Sequence, residues 1–256
     1  MTTMCLILSL TGCFKTERPK RAPQSVKTHE CKKTTVIAVI DTGFGSDESW
    51  IGQENTHLCK FGHKDFTDGI TSYQFDTEDP VPVDDHGHGT HIAGLIDSYA
   101  KKTNDSYCLV ILKYYDNHAD DRENLLRTVK AIEYAKKIKA DFINYSGGGV
   151  SPSKEEAEAL KSYIDAGGTF VAAAGNEGSN IDFFHYYPAQ EDDRVIVVGN
   201  GLDKNRRGYK SNYGKRVNRW EQGDKVLMYN HYMTGTSQST AIATGKIVAK
   251  KNKTCK

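Results

Sequence analysis

From residue 34 onward the apolar positions fall into two patterns that alternate along the chain. Thr34-Thr35-Val36-Ile37-Ala38-Val39-Ile40 is β-branched and almost wholly apolar, which predicts a strand buried on both faces. Leu109–Leu112, Asp141–Asn144, Thr169–Ala172 and Val195–Val198 repeat that signature. Between them the spacing turns helical. Across Arg122–Lys139, the residues Leu125, Leu126, Val129, Ile132 and Ile138 recur on one face, with Asp120, Asp121 and Glu123 at the start. Lys136, Lys137 and Lys139 crowd the end, so both termini suit the helix dipole. Ser153-Lys154-Glu155-Glu156 has the spacing of a capping box opening a second helix, which Gly167-Gly168 would close. Strands alternating with helices predict an α/β domain: a doubly wound, mostly parallel sheet with helices on both faces. Its site is expected beyond the C-terminal ends of the strands.

The chain has 256 residues, of which 38% are hydrophobic and 26% charged, so one domain over 34–256 can build a full core. A net charge of +1 gives no global attraction for nucleic acid, and no nucleic-acid partner is expected. The N-terminus differs in kind. Residues 1–12 are short and apolar, and Leu10-Thr11-Gly12-Cys13 resembles a bacterial lipoprotein signal. That resemblance implies cleavage before Cys13, acylation of its thiol, and attachment to a membrane of the bacterial envelope. Residues 13–33, rich in Lys, Arg, Pro and Thr, read as an extended tether. With Cys5 removed and Cys13 acylated, Cys31, Cys59, Cys108 and Cys255 remain. In an oxidising compartment four thiols suggest two disulfides, with three pairings open, while a zinc site is weakly supported without a CxxC.

Three short words lie where the fold wants a site. Asp41 follows the first buried strand in Ile40-Asp41-Thr42-Gly43. His88 opens His88-Gly89-Thr90-His91-Ile92-Ala93-Gly94, and Ser237 sits in Gly235-Thr236-Ser237-Gln238-Ser239 at the head of a helical stretch. Each alone reads as a turn, a structural histidine or a helix cap. Together, in the order Asp, His, Ser, and with Ala172-Ala173-Ala174-Gly175-Asn176-Glu177-Gly178 after a buried strand, they resemble the subtilisin-like serine proteases (subtilases). The resemblance spans about residues 34–250. It implies a subtilisin-like fold and peptide-bond hydrolysis through an acyl-enzyme on Ser237, with His88 as base and Asp41 orienting it. Asn176 would donate to the oxyanion.

Asn144-Tyr145-Ser146-Gly147-Gly148-Gly149 resembles the family's substrate-pairing segment, so Ser146, Gly147 and Gly148 would offer backbone groups to an extended peptide. The family usually has a bulky apolar residue at the place of Gly147, so one pocket wall is expected to be missing. Tyr187-Pro188-Ala189 resembles the far wall of the S1 pocket, with Glu177 at its rim. His91 is read as a packing residue. The cluster Asp76, Glu78, Asp79, Asp84 and Asp85 is weighed as a calcium site and not assigned; the chemistry requires no cofactor and no metal. The implied fold favours the pairings Cys31–Cys255 and Cys59–Cys108. With 256 − 237 = 19 residues after Ser237, the domain reads as shortened at its C-terminus. The partner expected besides the membrane is a polypeptide substrate, bound by a monomer. The alternative is a low-activity or non-catalytic binding protein on the same scaffold.

Overall fold

The computed structural model describes residues 34–251, apart from 46, 48, 68–71, 74–76, 103–105 and 204–205. The proposed signal, Cys13, the tether, Asp76 and the Cys31–Cys255 pairing lie outside the described residues.

In chain order the elements are β1 (Thr35–Asp41), β2 (Lys64–Asp65), β3 (Ser72–Tyr73), β4 (Val81–Pro82), α1 (His88–Ala100), β5 (Tyr107–Lys113) and α2 (Asp121–Lys137). They continue as β6 (Phe142–Tyr145), α3 (Lys154–Asp165), β7 (Thr169–Ala173), β8 (Ile196–Asn200), β9 (Arg219–Glu221), β10 (Val226–Met228), β11 (His231–Met233) and α4 (Thr236–Lys251). Seven strands form one parallel sheet in the order β2-β5-β1-β6-β7-β8-β9. The chain passes from β1 to the edge strand β2, returns inward to β5 beside β1, and then winds outward on the other side from β6 to β9, so β1 and β6 flank the switch point.

The run of apolar residues in β1 serves two cores. Ile37 and Val39 pack with Leu109, Ile111, Ile92, Leu95 and Ile242 under α1 and α4. Ala38 and Ile40 pack with Leu112, Ile132, Leu160 and Tyr163 under α2 and α3. Each large side chain buried in this way stabilises the fold by roughly 1.5–3 kcal/mol. Alpha helices on both faces leave no polar side for a central strand, which is why its sequence does not alternate.

Local signals act mostly as their spacing predicts. Asp120 caps α2 by accepting from the Glu123 N–H at 2.7 Å, and Ser153 caps α3 by accepting from the Glu156 N–H at 3.2 Å. The capping box is only half formed. Ser153 donates its hydroxyl to Glu155, while Glu156 is 2% exposed and leaves the helix surface for the interior. At the far end of α4, Lys251 Nζ lies 3.4 Å from Asp141 Oδ1, and Asp141 Oδ2 accepts from the Val36 N–H. The helix headed by Ser237 therefore runs back along the sheet to the starts of β1 and β6. Along the way α1 and α4 cross closely: a Cβ on Gly245 would collide with the Ile96 carbonyl.

A disulfide joins Cys59 to Cys108, with Cα atoms 4.8 Å apart. Cys59 precedes β2 and is held by its own N–H donating to the Leu109 carbonyl, one residue beyond Cys108. A link across 49 residues stabilises by about 4 kcal/mol in the chain-entropy model.

Candidate active site

Asp41 is the last residue of β1 and His88 the first of α1, so both stand at the C-terminal edge of the sheet. Gly87, the residue that caps α1, has φ 85°, and a Cβ there would strike the Trp50 ring. The tight left-handed turn that only glycine fits well is what brings His88 to face Asp41. His88 Nδ1 lies 2.7 Å from Asp41 Oδ1. A carboxylate accepts, so Nδ1 carries the proton and Nε2 presents its lone pair. Burial works against a charged His88, but the Asp41 carboxylate, aided by Asp84, outweighs it and raises the imidazole above its ordinary value.

Asp84 organises this corner. Its carboxylate accepts five hydrogen bonds, from the hydroxyls of Thr42 and Thr90 and the N–H groups of His86, Gly87 and Thr90. Thr42 in turn accepts from the Gly89 N–H. Both oxygens are thereby occupied. Asp79 accepts from the Gly62 N–H, and exposed Asp85 pairs with Lys113 at 3.2 Å. Asp79, Asp84 and Asp85 are thus engaged in separate protein contacts, and no metal-holding group of three His, Cys, Asp or Glu occurs among the described residues. His91 is buried, its Nε2 shared between the Val226 and His231 carbonyls, and burial pushes it down to about 4.

Ser237 lies in the first turn of α4, where backbone N–H groups have no intrahelical acceptor. Its hydroxyl donates to the Ser146 carbonyl at 2.9 Å, and Ser146 Oγ donates back to the Ser237 carbonyl at 3.2 Å. No hydrogen bond joins Ser237 to His88. Asn176 Oδ1 accepts from the Thr236 N–H at 2.9 Å and from the Thr236 hydroxyl, which commits the carbonyl end of the amide and leaves Nδ2 as a donor. Buried Asn212 fixes the loop behind it: its Oδ1 accepts from the Glu177 and Ser179 N–H groups, and its Nδ2 donates to the Ala174 carbonyl and to Glu177.

The segment Ser146-Gly147-Gly148 continues from the end of β6, and Gly149 and Tyr187 exchange two backbone hydrogen bonds. The peptide between Tyr187 and Pro188 is cis. The wall expected to be missing at Gly147 is instead supplied from β5's end. A Cβ on Gly147 would collide with the Tyr114 hydroxyl, so the tyrosine occupies the space of the absent side chain. Sequence reasoning takes Tyr114, in Tyr114-Tyr115, as a packing or rim residue and Glu156 as part of a capping box, and it misses Asn212. The local signal that could have found Asn212 is the polar pair Ser211-Asn212 before Tyr213-Gly214.

A model described as the subtilase family matches residues 32–254. The chain belongs to the subtilase family. Among curated subtilases, the major intracellular serine protease of Bacillus subtilis is 31% identical over 232 residues, 84% of this chain and 67% of that protein. The subtilisin-like serine protease Pen ch 18 of Penicillium rubens is 32% identical over 183 residues, 64% of this chain and 35% of that protein. This subtilase therefore spans about a third of the length of that fungal relative. A cold-adapted subtilisin-like serine proteinase has the same fold, with a TM-score of 0.65 at 22% identity over 86% of this chain and 77% of that one.

Proposed function

We propose that this subtilase is a serine endopeptidase in which Ser237 forms an acyl-enzyme. The observation that carries the reading is the 2.7 Å contact of His88 Nδ1 with Asp41, which fixes the basic Nε2 outward. Ser237 Oγ attacks the peptide carbonyl carbon as its proton passes to His88 Nε2. The C–N bond then breaks, the amine leaves with that proton, and an ester on Ser237 remains. Water, deprotonated by His88, hydrolyses the ester and restores Ser237. The oxyanion of each tetrahedral intermediate receives Asn176 Nδ2 and the Ser237 N–H; one side-chain donor of this kind lowers the barrier by about 3–4 kcal/mol. To react, the Ser237 hydroxyl must leave the Ser146 carbonyl and donate to His88 Nε2. That carbonyl then accepts a hydrogen bond from the incoming peptide's N–H.

A second reading, a binding protein with little activity, is favoured by that same Ser237–Ser146 hydrogen bond. A fluorophosphonate probe separates the two. Labelling of the wild-type protein that disappears in Ser237→Ala supports the enzyme; absence of labelling in both supports the scaffold reading.

The proposal extends to location. Leu10-Thr11-Gly12-Cys13 supports export and lipid attachment at a bacterial envelope, and the Cys59–Cys108 disulfide fits an oxidising compartment. Mass spectrometry of the protein purified from bacterial membranes should find acylated Cys13 at the mature N-terminus. An unmodified Cys13 within an intact chain would reject the anchor.

A further inference from the structure

The hairpin β10–β11 leads directly to Ser237, since only three residues separate it from Met233, the last of β11. Tyr229 and Asn230 form the turn, both with the positive φ that a two-residue connection between antiparallel strands favours. This hairpin lies on α1, the helix that carries His88. His91 Nε2 is 3.1 Å from the Val226 carbonyl on β10 and 3.2 Å from the His231 carbonyl on β11. Carbonyls only accept, so Nε2 carries the proton and donates to both. Farther along α1, Met228 and Tyr229 cover Gly94, where a Cβ would collide with both side chains. The supports of the base and of the nucleophile therefore meet on one helix.

Trp50 stands where they meet. It belongs to the connection between β1 and β2 and is 6% exposed. The six-membered part of its ring lies against Gly87, the residue before His88, so closely that a Cβ on Gly87 would strike it. The ring also stacks on His231, with centroids 4.0 Å apart and planes 16° from parallel. His91 meets Trp50 edge-on, at 6.3 Å and 87°. Ser49 Oγ, one residue earlier, is 3.1 Å from His231 Nε2, so consecutive residues hold that imidazole. Rings packed at this density transmit displacement rather than absorb it. Because Ser237 Oγ rests on the Ser146 carbonyl and not on His88, the separation of the two groups is fixed by these supports. The crossing at Gly245 holds α1 in its second half, at Ile96, whereas Trp50 acts at the end that bears His88.

We infer that Trp50 is a positioning residue of the reaction: its ring, set between Gly87 and His231, gauges the separation of His88 from Ser237. The inference rests on the endopeptidase reading, because only that reading ties this separation to a rate. The segment Ser146-Gly147-Gly148 continues from β6 and has no part in the clamp. Loss of the ring should therefore slow the chemical step and spare KM.

The test measures kcat, KM and the rate of fluorophosphonate labelling, at a temperature where circular dichroism shows each variant folded. Trp50→Ala should lower kcat and the labelling rate by about 30-fold, while KM changes by less than about twofold. His231→Ala removes the other half of the stack and should lower kcat by about tenfold; it carries the test alone if Trp50→Ala does not fold. The double variant should lose little more than Trp50→Ala, because the two rings act as one unit. Trp50→Phe and His231→Phe each keep a stacked pair and should return kcat to within about threefold of wild type. Unchanged kcat in both alanine variants, a rise in KM alone, or losses that phenylalanine does not recover would overturn the inference. Wild-type protein that neither cleaves nor labels would sink the endopeptidase reading and the role of Trp50 with it. Labelling at one rate in every form would sink the role of Trp50 alone.

Discussion

Two buried carboxylates of this domain are treated in opposite ways. Asp84, 1% exposed, accepts five hydrogen bonds and anchors the turn that presents His88. Glu156, 2% exposed, accepts none from its carboxylate and faces a cavity. In the first case the protein supplies every donor, so the charge is a fixed part of the frame. In the second it supplies none, so burial and Glu191 push the carboxyl towards its neutral form. The contrast separates a carboxylate that preorganises the turn into α1 from one whose charge the fold leaves uncompensated.

The largest effect should come from breaking the rigid side at its centre. Asp41→Asn keeps the shape but favours the wrong imidazole tautomer, and kcat should fall by about 10⁴-fold. The wild-type acid limb of kcat/KM should lie above the ordinary histidine value, because neutral His88 is the base and Asp41 raises its pKa. In the residual activity of Asp41→Asn that limb should move down. An unchanged limb would show that another group sets it.

Smaller effects, on stability, should carry opposite signs at the two carboxylates. Asp84→Ala strands several buried donors at once and should cost about 3 kcal/mol in urea unfolding at neutral pH. Glu156 should behave the other way. Its folded pKa is raised, so its contribution is intact below the unfolded value near 4.5 and is lost as pH rises through about 7. The stability of Glu156→Gln relative to wild type should therefore improve across that window, by up to 2–3 kcal/mol in order of magnitude. A flat difference from pH 4 to 8 would mean that Glu156 finds a partner in solution, and the contrast with Asp84 would collapse.

Much of this arrangement could be read from the chain, because the signals are local. The continuous apolar run of β1 announces a strand covered on both faces, and the words around Asp41, His88, Asn176 and Ser237 each follow a strand or open a helix. Legibility ends where a side chain chooses between neighbours brought by the fold. Glu156 has the spacing of a capping residue, and spacing fixes its N–H on Ser153 but not the direction of its carboxylate. Asp84 and Asp85 are adjacent and chemically alike. One is buried under five donors and the other is exposed beside Lys113, a difference set by the turn into α1. Gly147 removes a wall that Tyr114 restores from 33 positions upstream (147 − 114), a compensation invisible to any local window.

The crossing of α1 and α4 at Gly245 has a mechanical meaning. His88 rides the tip of one helix and Ser237 the tip of the other, so the two helices work like the blades of shears with the base and the nucleophile at their points. Their pivot is the contact where Gly245 meets the Ile96 carbonyl, about 12 Å along α4 from Ser237. A single methyl group inserted there would pry the blades and shift the gap between the points. Displacing reacting atoms by 1 Å can cost about 100-fold in rate. The gauge of the catalytic gap is thus held by a residue that touches neither the base nor the nucleophile, and that contributes by having no side chain at all.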